Sequence, residues 1–261
     1  MARIAELGQR RATGAPAAGA RSHRRADIMA ARASLEHMLG EDSDSLAGQL
    51  ALVDFPSGHD VFVEGDTAET MYIVVRGKVK IGCRTAEGRQ KLTAVIGGGD
   101  IFGAVSVLDS GPRSANATAI TDLCVATLHQ HALTAWTREH PQCSERLLRV
   151  LARRLQRAED ELAELTVVDV AGRVAHRLLK LAQRFGHSHG DGIVVTHDLT
   201  QDEIAQLVGT TRESVNKVLC EFARLGWITT NGRTMFIHRT QPLVQRARQT
   251  IDRHNSSDSE R

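Results

Sequence analysis

The segment Val208–Trp227 reads VGTTRESVNKVLCEFARLGW. At about 100° per residue, Val215, Val218, Leu219 and Phe222 fill one arc of a helix, and Arg212, Glu213, Asn216 and Lys217 fill the opposite arc. One face belongs to a core. The other is dense with hydrogen-bonding groups and must meet something beyond the protein's own interior. Upstream, Thr200 with Glu203 fits a capping box that starts a short helix ending near Gly209, and Thr210 with Glu213 fits a second box. Ile204 and Leu207 then face Val215 and Leu219 across a glycine turn, which is a helix-turn-helix. Downstream, WITTNGRTMFIH gives two strands around Asn231-Gly232, the preferred pair for a type I′ turn. This hairpin reads as a wing.

In such a motif the second helix enters the major groove by its N-terminal residues. Arg212 can offer two donors to guanine O6 and N7, Glu213 can accept from a cytosine amino group, and Lys217, with Asn216 in the same arc, reaches a base or a phosphate. Thr200, Thr211, Ser214 and the amides at both helix starts are placed to hold phosphates and fix register. The competing reading is a solvated face whose charges serve solubility. Two capped helices, a glycine turn and an NG hairpin in one run argue against it.

Bulk properties restrict the rest. A chain of 261 residues with 41% hydrophobic and 25% charged residues has room for two domains, and no apolar run approaches the roughly 20 residues that span a bilayer. No membrane partner is expected, and the cytoplasm is the expected location. The net charge of +2 is too small for non-specific polyanion binding. From Val170 onward, however, 13 basic residues face 9 acidic ones. Residues 1–28 hold six arginines and two acids among many Ala and Gly, without a continuous apolar segment, so they read as a disordered basic extension and not as a secretory signal. Met29 is an alternative start. Residues 246–261 read as a polar tail. Cys83, Cys124, Cys143 and Cys220 stand far apart with no CxxC pair, which suggests free thiols and no metal site.

Between about Leu52 and Leu128, short alternating runs are punctuated by glycine. In MYIVVRGKVKIGCR, Val79, Ile81 and Cys83 share one phase and Lys78, Lys80 and Arg84 the other, which is strand periodicity. A small antiparallel sandwich or barrel follows. After Pro141 the period changes: Leu148, Leu151, Leu155, Ala158, Leu162 and Leu165 recur at spacings of 3, 4, 3, 4 and 3. This narrow seam predicts a two-stranded coiled coil, hence a homodimer, over a helix at 141–168. Asp169 is the predicted N-cap of the next helix, which runs to about Phe185.

These residues resemble the cyclic AMP receptor protein/FNR (Crp/Fnr) family, in its actinobacterial branch, from about Phe55 to His238. LTQDEIAQLVGTTRESVNKVL carries most of the resemblance, with EGD at Glu64–Asp66, GKVKIG from Gly77, GPRS from Gly111, RVLARRLQR from Arg149 and DVAGRVA from Asp169 in support. The resemblance implies an α+β fold: a cyclic-nucleotide-binding β-roll (jelly roll) over 29–140, a dimerisation helix, and a winged helix-turn-helix over 169–245. It also implies double-stranded DNA with GTGA-type half-sites, a second copy of the chain and RNA polymerase as partners. Arg212, Glu213 and Lys217 align with the family's base-reading positions.

The implied nucleotide pocket matches in part. Gly103, Arg113 and Ser114 are retained, which preserves a guanidinium and amides for a cyclic phosphate. The family's ribose-binding glutamate is Ala104, and its adenine partners on the long helix are Ala158 and Glu159. Losing a hydrogen bond to a charged group costs about 1.5–3 kcal/mol and a neutral one about 0.5–1.5. Cyclic AMP is therefore expected to be a weak or non-essential ligand, with DNA binding not strictly dependent on it.

Two alternatives remain open. Cys220 shares the arc of Asn216 and Lys217, and Cys143 sits in a first helical turn where the dipole favours thiolate, so a thiol-redox regulator is one. A metal-dependent enzyme using HSHGD at His187–Asp191 with His197 is the other. That segment reads more simply as a Gly-rich polar loop, and no nucleophile–base constellation is visible.

Overall fold

A computed structural model of the chain describes residues 18–85, 88, 90–167 and 169–257. In chain order, α1 (Ala18–Leu39) and a short 3-10 turn lead to α2 (Asp44–Ala47), β1 (Ala51–Phe55), β2 (Asp60–Phe62), β3 (Thr70–Arg76), β4 (Val79–Arg84), β5 (Gln90–Ile96) and β6 (Ile101–Phe102). Then come α3 (Ala104–Asp109), β7 (Asn116–Ala119), β8 (Leu123–His129), α4 (Gln130–Glu139) and the long α5 (Pro141–Val167). The remainder is α6 (Val170–Phe185), β9 (Gly186–His189), β10 (Gly192–Thr196), α7 (Gln201–Val208), α8 (Arg212–Arg224), β11 (Ile228–Asn231), β12 (Thr234–Ile237) and α9 (Thr240–Ser257). Two units separate, Met1–Ile81 with Val95–Val150 and Gly82–Ala94 with Leu151–Arg261.

Strands β1–β8 form a roll of two four-stranded sheets, ordered β1-β8-β3-β6 and β2-β7-β4-β5. In the first sheet the central strands β3 and β8 are buried on both faces because alternate side chains feed different cores. From β3, Tyr72 and Val74 join Phe62, Val79, Phe102, Leu123 and Val125 inside the roll. Met71 and Ile73 point the other way, to Ala31, Leu35 and Leu39 of α1 and to Leu128, Leu133 and Trp136. Helix α1 thus forms a third layer, and it begins within the stretch expected to be disordered. The physical reason is the apolar stripe Ala31, Leu35, Leu39 at a spacing of four, anchored by the buried Asp27, which accepts from Arg76 Nε and Nη2 at 3.1 Å each. Residues 1–17 of the expected extension and 258–261 of the expected tail lie outside the described residues. Within the remainder of the tail, α9 continues to Ser257.

In the second unit α6 buries Val174, Ala175, Leu178, Leu181 and Ala182 along one face. Asp169 caps it as predicted, accepting from the Gly172 amide at 2.9 Å, and also takes an ion pair from Arg246 of α9 at 2.6 Å. Burial pushes the Asp169 carboxyl up. The Arg246 hydrogen bond, the Gly172 amide and the charges of Arg246 and Arg173 outweigh it and hold the carboxyl below its usual range. A depressed carboxylate stabilises the fold above its unfolded pKa of about 3.9, and that contribution is lost as pH falls through the folded value. Asp169→Ala is expected to cost about 1–2 kcal/mol in urea unfolding at neutral pH. Below about pH 4 the gap between it and the parent should close.

Candidate nucleic-acid interface and nucleotide site

The helix pair α7–α8 is positioned by its caps. Thr200 Oγ1 accepts from the Glu203 amide at 3.2 Å while Glu203 reaches back to the Thr200 amide at 2.8 Å, the expected capping box. Gly209 ends α7 in the left-handed region at φ 74°. The second start lies one residue later than the sequence pattern suggested. The Gly209 and Thr210 amides both return to Ala205 O, which keeps Thr210 in the turn, and Thr211 takes the extended conformation of an N-cap. Its Oγ1 accepts from the Ser214 amide at 3.3 Å and donates to Ser214 Oγ at 3.0 Å.

The two faces of α8 separate as the opening pattern requires. Val215, Val218, Leu219 and Phe222 are buried; Arg212, Glu213, Asn216, Lys217 and Cys220 are exposed. A hydrogen bond from its own backbone amide, another from Thr211 and the neighbouring Arg212 hold the Glu213 carboxyl below its usual range, so it is an ionised acceptor at the helix tip. Arg212 Nη1 stands 3.6 Å from Asp202 Oδ2 on α7, a pair that the face-by-face reading of α8 did not foresee. Thr200, Thr211 and Ser214 sit at the two helix starts with their hydroxyls engaged in capping.

The hairpin exists, with a different loop. Asn231 pairs with Thr234, so the connecting residues are Gly232 and Arg233, and of these Gly232 has the positive φ, 59°. A glycine in the first loop position belongs to a type II′ turn, not the type I′ turn expected on Asn231-Gly232. The Arg233 carbonyl accepts from the His197 and Asp198 amides, which ties the tip to the chain before α7 and fixes where the turn falls.

HSHGD is part strand and part turn: His187–His189 are strand, and Gly190 and Asp191 are the turn that follows. Gly186–His189 forms the edge strand β9 against β10, completing the sheet β11-β12-β10-β9. His197 is buried and its Nδ1 accepts from the Leu199 amide at 3.1 Å. Among the described residues no group of three His, Cys, Asp or Glu converges as metal ligands.

Of the residues of the implied nucleotide pocket, Gly103 and Arg113 are in direct contact, and Arg113 takes an unforeseen conformation. It is 3% exposed, and its Nη1 donates to Gly103 O at 2.8 Å and its Nη2 to Thr70 O. The guanidinium lies 4.2 Å from the Phe62 ring centre and 5.6 Å from that of Tyr72, and Tyr72 stacks on Phe102 at 5.1 Å. Burial lowers the pKa of Arg113, against the pull of Tyr72 and Asp66. Its Nε is buried without a partner among the described residues. Gly103 has a positive φ of 71°, and a Cβ there would come within 2.8 Å of Arg113 Nη1. Ala104 is buried, Ser114 exposed, and Ala158 and Glu159 are exposed on α5. The aromatic box, drawn from three separate strands, leaves no spacing pattern in the sequence. The chain has six Phe and one Tyr, and two Phe meet the Tyr here, a rarity that was a usable signal.

On α5, Leu148 and Leu155 are 66% and 62% exposed and Leu151 is half-buried. The side chains of Leu162, Leu165 and Cys143 lie outside the described residues. Among the described residues no helix is long and apolar enough to cross a membrane.

Comparison with known proteins matches this pairing of sites. The cyclic nucleotide-binding domain model matches residues 52–140 and the Crp-like helix-turn-helix domain model residues 172–246. A CRP-like cAMP-activated global transcriptional regulator of Mycobacterium tuberculosis is 50% identical over 204 residues, 78% of this chain and 91% of that one. The chain belongs to the Crp/Fnr family. Among other Crp/Fnr relatives, the cyclic AMP receptor protein of Thermus thermophilus is 33% identical over 191 residues, covering 73% and 85% of the two chains. Among solved structures, FixK2 from Bradyrhizobium japonicum superposes with a TM-score of 0.67 at 25% identity, covering 75% of this chain and 96% of its own. A CRP-family regulator from Thermus thermophilus gives 0.63 at 28%, with the same coverage. As a Crp/Fnr protein the chain is a DNA-binding transcription regulator with a cyclic nucleotide-binding domain, in a family of regulators and not of enzymes.

Proposed function

We propose that the protein is a homodimeric, sequence-specific regulator that reads a GTGA-type palindrome and whose DNA binding does not strictly require cyclic AMP. The observation that carries this reading is the exposed arc of Arg212, Glu213, Asn216 and Lys217 on a helix whose opposite face is buried. Half-sites of such a dimer lie about 34–36 Å apart. The exposed Leu148 and Leu155 support dimerisation, since a bare leucine seam at 3.5-residue spacing is stable when it meets its own copy. Cyclic AMP enters as a ligand through the family and through the buried, unpartnered Nε of Arg113. Ala104, Ala158 and Glu159, in place of the implied hydrogen-bonding partners, support weak affinity. RNA polymerase is the implied partner at the promoter. Gel shifts with a GTGA palindrome, with and without cyclic AMP, test the reading; binding that appears solely with saturating nucleotide overturns the independence.

A second reading, thiol control, is favoured by Cys220, exposed with Sγ 3.9 Å from Asn216 Oδ1 on the reading face. Cys124 is unsuited to it: burial first, then Asp54 and Asp27, push its thiol up to about 12. Thiol reagents are expected to label Cys220 within minutes and Cys124 upon unfolding, as peptide mapping would report. If a cysteine-free variant still loses operator binding under thiol oxidants, redox control is excluded.

A further inference from the structure

The pair formed by Arg212 and Asp202 points to a selectivity element that the arc on α8 does not contain. A helix start ordinarily attracts anions through its free amides and its dipole. The first turn of α7 instead carries two acids, Asp202 and Glu203. Glu203 closes the capping box with Thr200. Asp202 is not needed for that box, and its side chain, 61% exposed, stands beside the 59% exposed Arg212.

We propose that Asp202 is a specificity-determining residue: it leaves Arg212 available to a guanine edge and makes it unavailable to a phosphate. This rests on the reading of Arg212 as a base-contacting residue. A guanidinium has five N–H donors, and one contact with Asp202 leaves the others for O6 and N7. The guanine edge is neutral and shares the guanidinium with the carboxylate. A phosphate carries its own charge and is repelled by Asp202 at the same distance, so Arg212 gains little from backbone contacts on wrong sequences. Asp202 thereby lowers non-specific affinity more than specific affinity, a repulsive element built against the competitor. The ion pair alone is exposed and worth little, so the effect is read as a ratio and not as stability.

The test uses the full chain and two duplexes, a GTGA palindrome and its scrambled counterpart, across a salt titration. Asp202→Asn is expected to raise affinity for the scrambled duplex about three- to fivefold at low salt and to change palindrome affinity less. The specificity ratio should fall accordingly. The salt slope on the scrambled duplex should steepen by about 0.9 for each subunit engaged, because one further phosphate is neutralised. Asp202→Glu should behave as the parent. Equal gains on both duplexes would reveal a bulk charge effect and overturn the proposal. In an Arg212→Ala background, Asp202→Asn should no longer alter the ratio; an unchanged effect there shows that Asp202 does not act through Arg212 and likewise overturns it. If Arg212→Ala by itself leaves sequence preference intact, the base-reading assignment fails, an outcome seen before any Asp202 variant is compared.

Discussion

Replacing Arg212 and Glu213 together by alanine is expected to reduce affinity for a GTGA palindrome by about a thousandfold or more and to leave affinity for a scrambled duplex within a few-fold. Each lost bidentate or amino-group contact removes roughly 1–3 kcal/mol of discrimination. A two-fold dimer loses four of them, and 1.4 kcal/mol is a factor of ten. Even the lower bound gives about three powers of ten. The fold should survive: both side chains are exposed, and the buried face of α8 is left intact. Helix capping also persists, because Thr211 rather than Glu213 supplies the acceptor for the Ser214 amide. Competition gel shifts against both duplexes, with circular dichroism melts, separate loss of reading from loss of structure. Unaltered preference in the double variant would sink the assignment.

The sequence of this region is legible for a physical reason. Helix periodicity, capping chemistry and a glycine in the turn are local, and each leaves residues at fixed offsets; α7 and α8 follow from them. Other features depend on contacts that local spacing does not carry. Whether Thr210 or Thr211 caps α8 depends on the Gly209 and Thr210 amides both folding back to Ala205 O, which a motif spacing does not encode. The loop of the wing moved by one residue because its tip is held by the His197 and Asp198 amides, a tertiary contact. Helix α1 was hidden by its composition: arginine and alanine dominate it, and its Ala31, Leu35, Leu39 stripe gains meaning once the outer face of β3 and β8 is known to need a cover. Arg113 was legible as a residue type but not as a conformation, since its aromatic neighbours come from β2, β3 and β6.

That conformation bears on the second large effect. Cyclic AMP affinity is expected to be lower by roughly two to four powers of ten than in a relative that retains all the implied partners, from one lost charged hydrogen bond and two neutral ones. The Arg113 guanidinium adds a further reason. Its donors face Gly103 O and Thr70 O, and its plane lies against Phe62, so a phosphate must replace contacts already made. The unpartnered Nε works in the ligand's favour, because an anion would satisfy a donor that is now buried alone. One regained hydrogen bond of about 1.5–3 kcal/mol offsets at most the loss of the ribose carboxylate and not the two adenine partners as well. Isothermal titration of the purified full chain beside such a relative should therefore give a dissociation constant larger by about two powers of ten or more. Operator binding measured in the same buffer should change little between zero and saturating nucleotide. Submicromolar affinity accompanied by a matching gain in operator binding would show that the three replaced positions are not what sets the strength of the site.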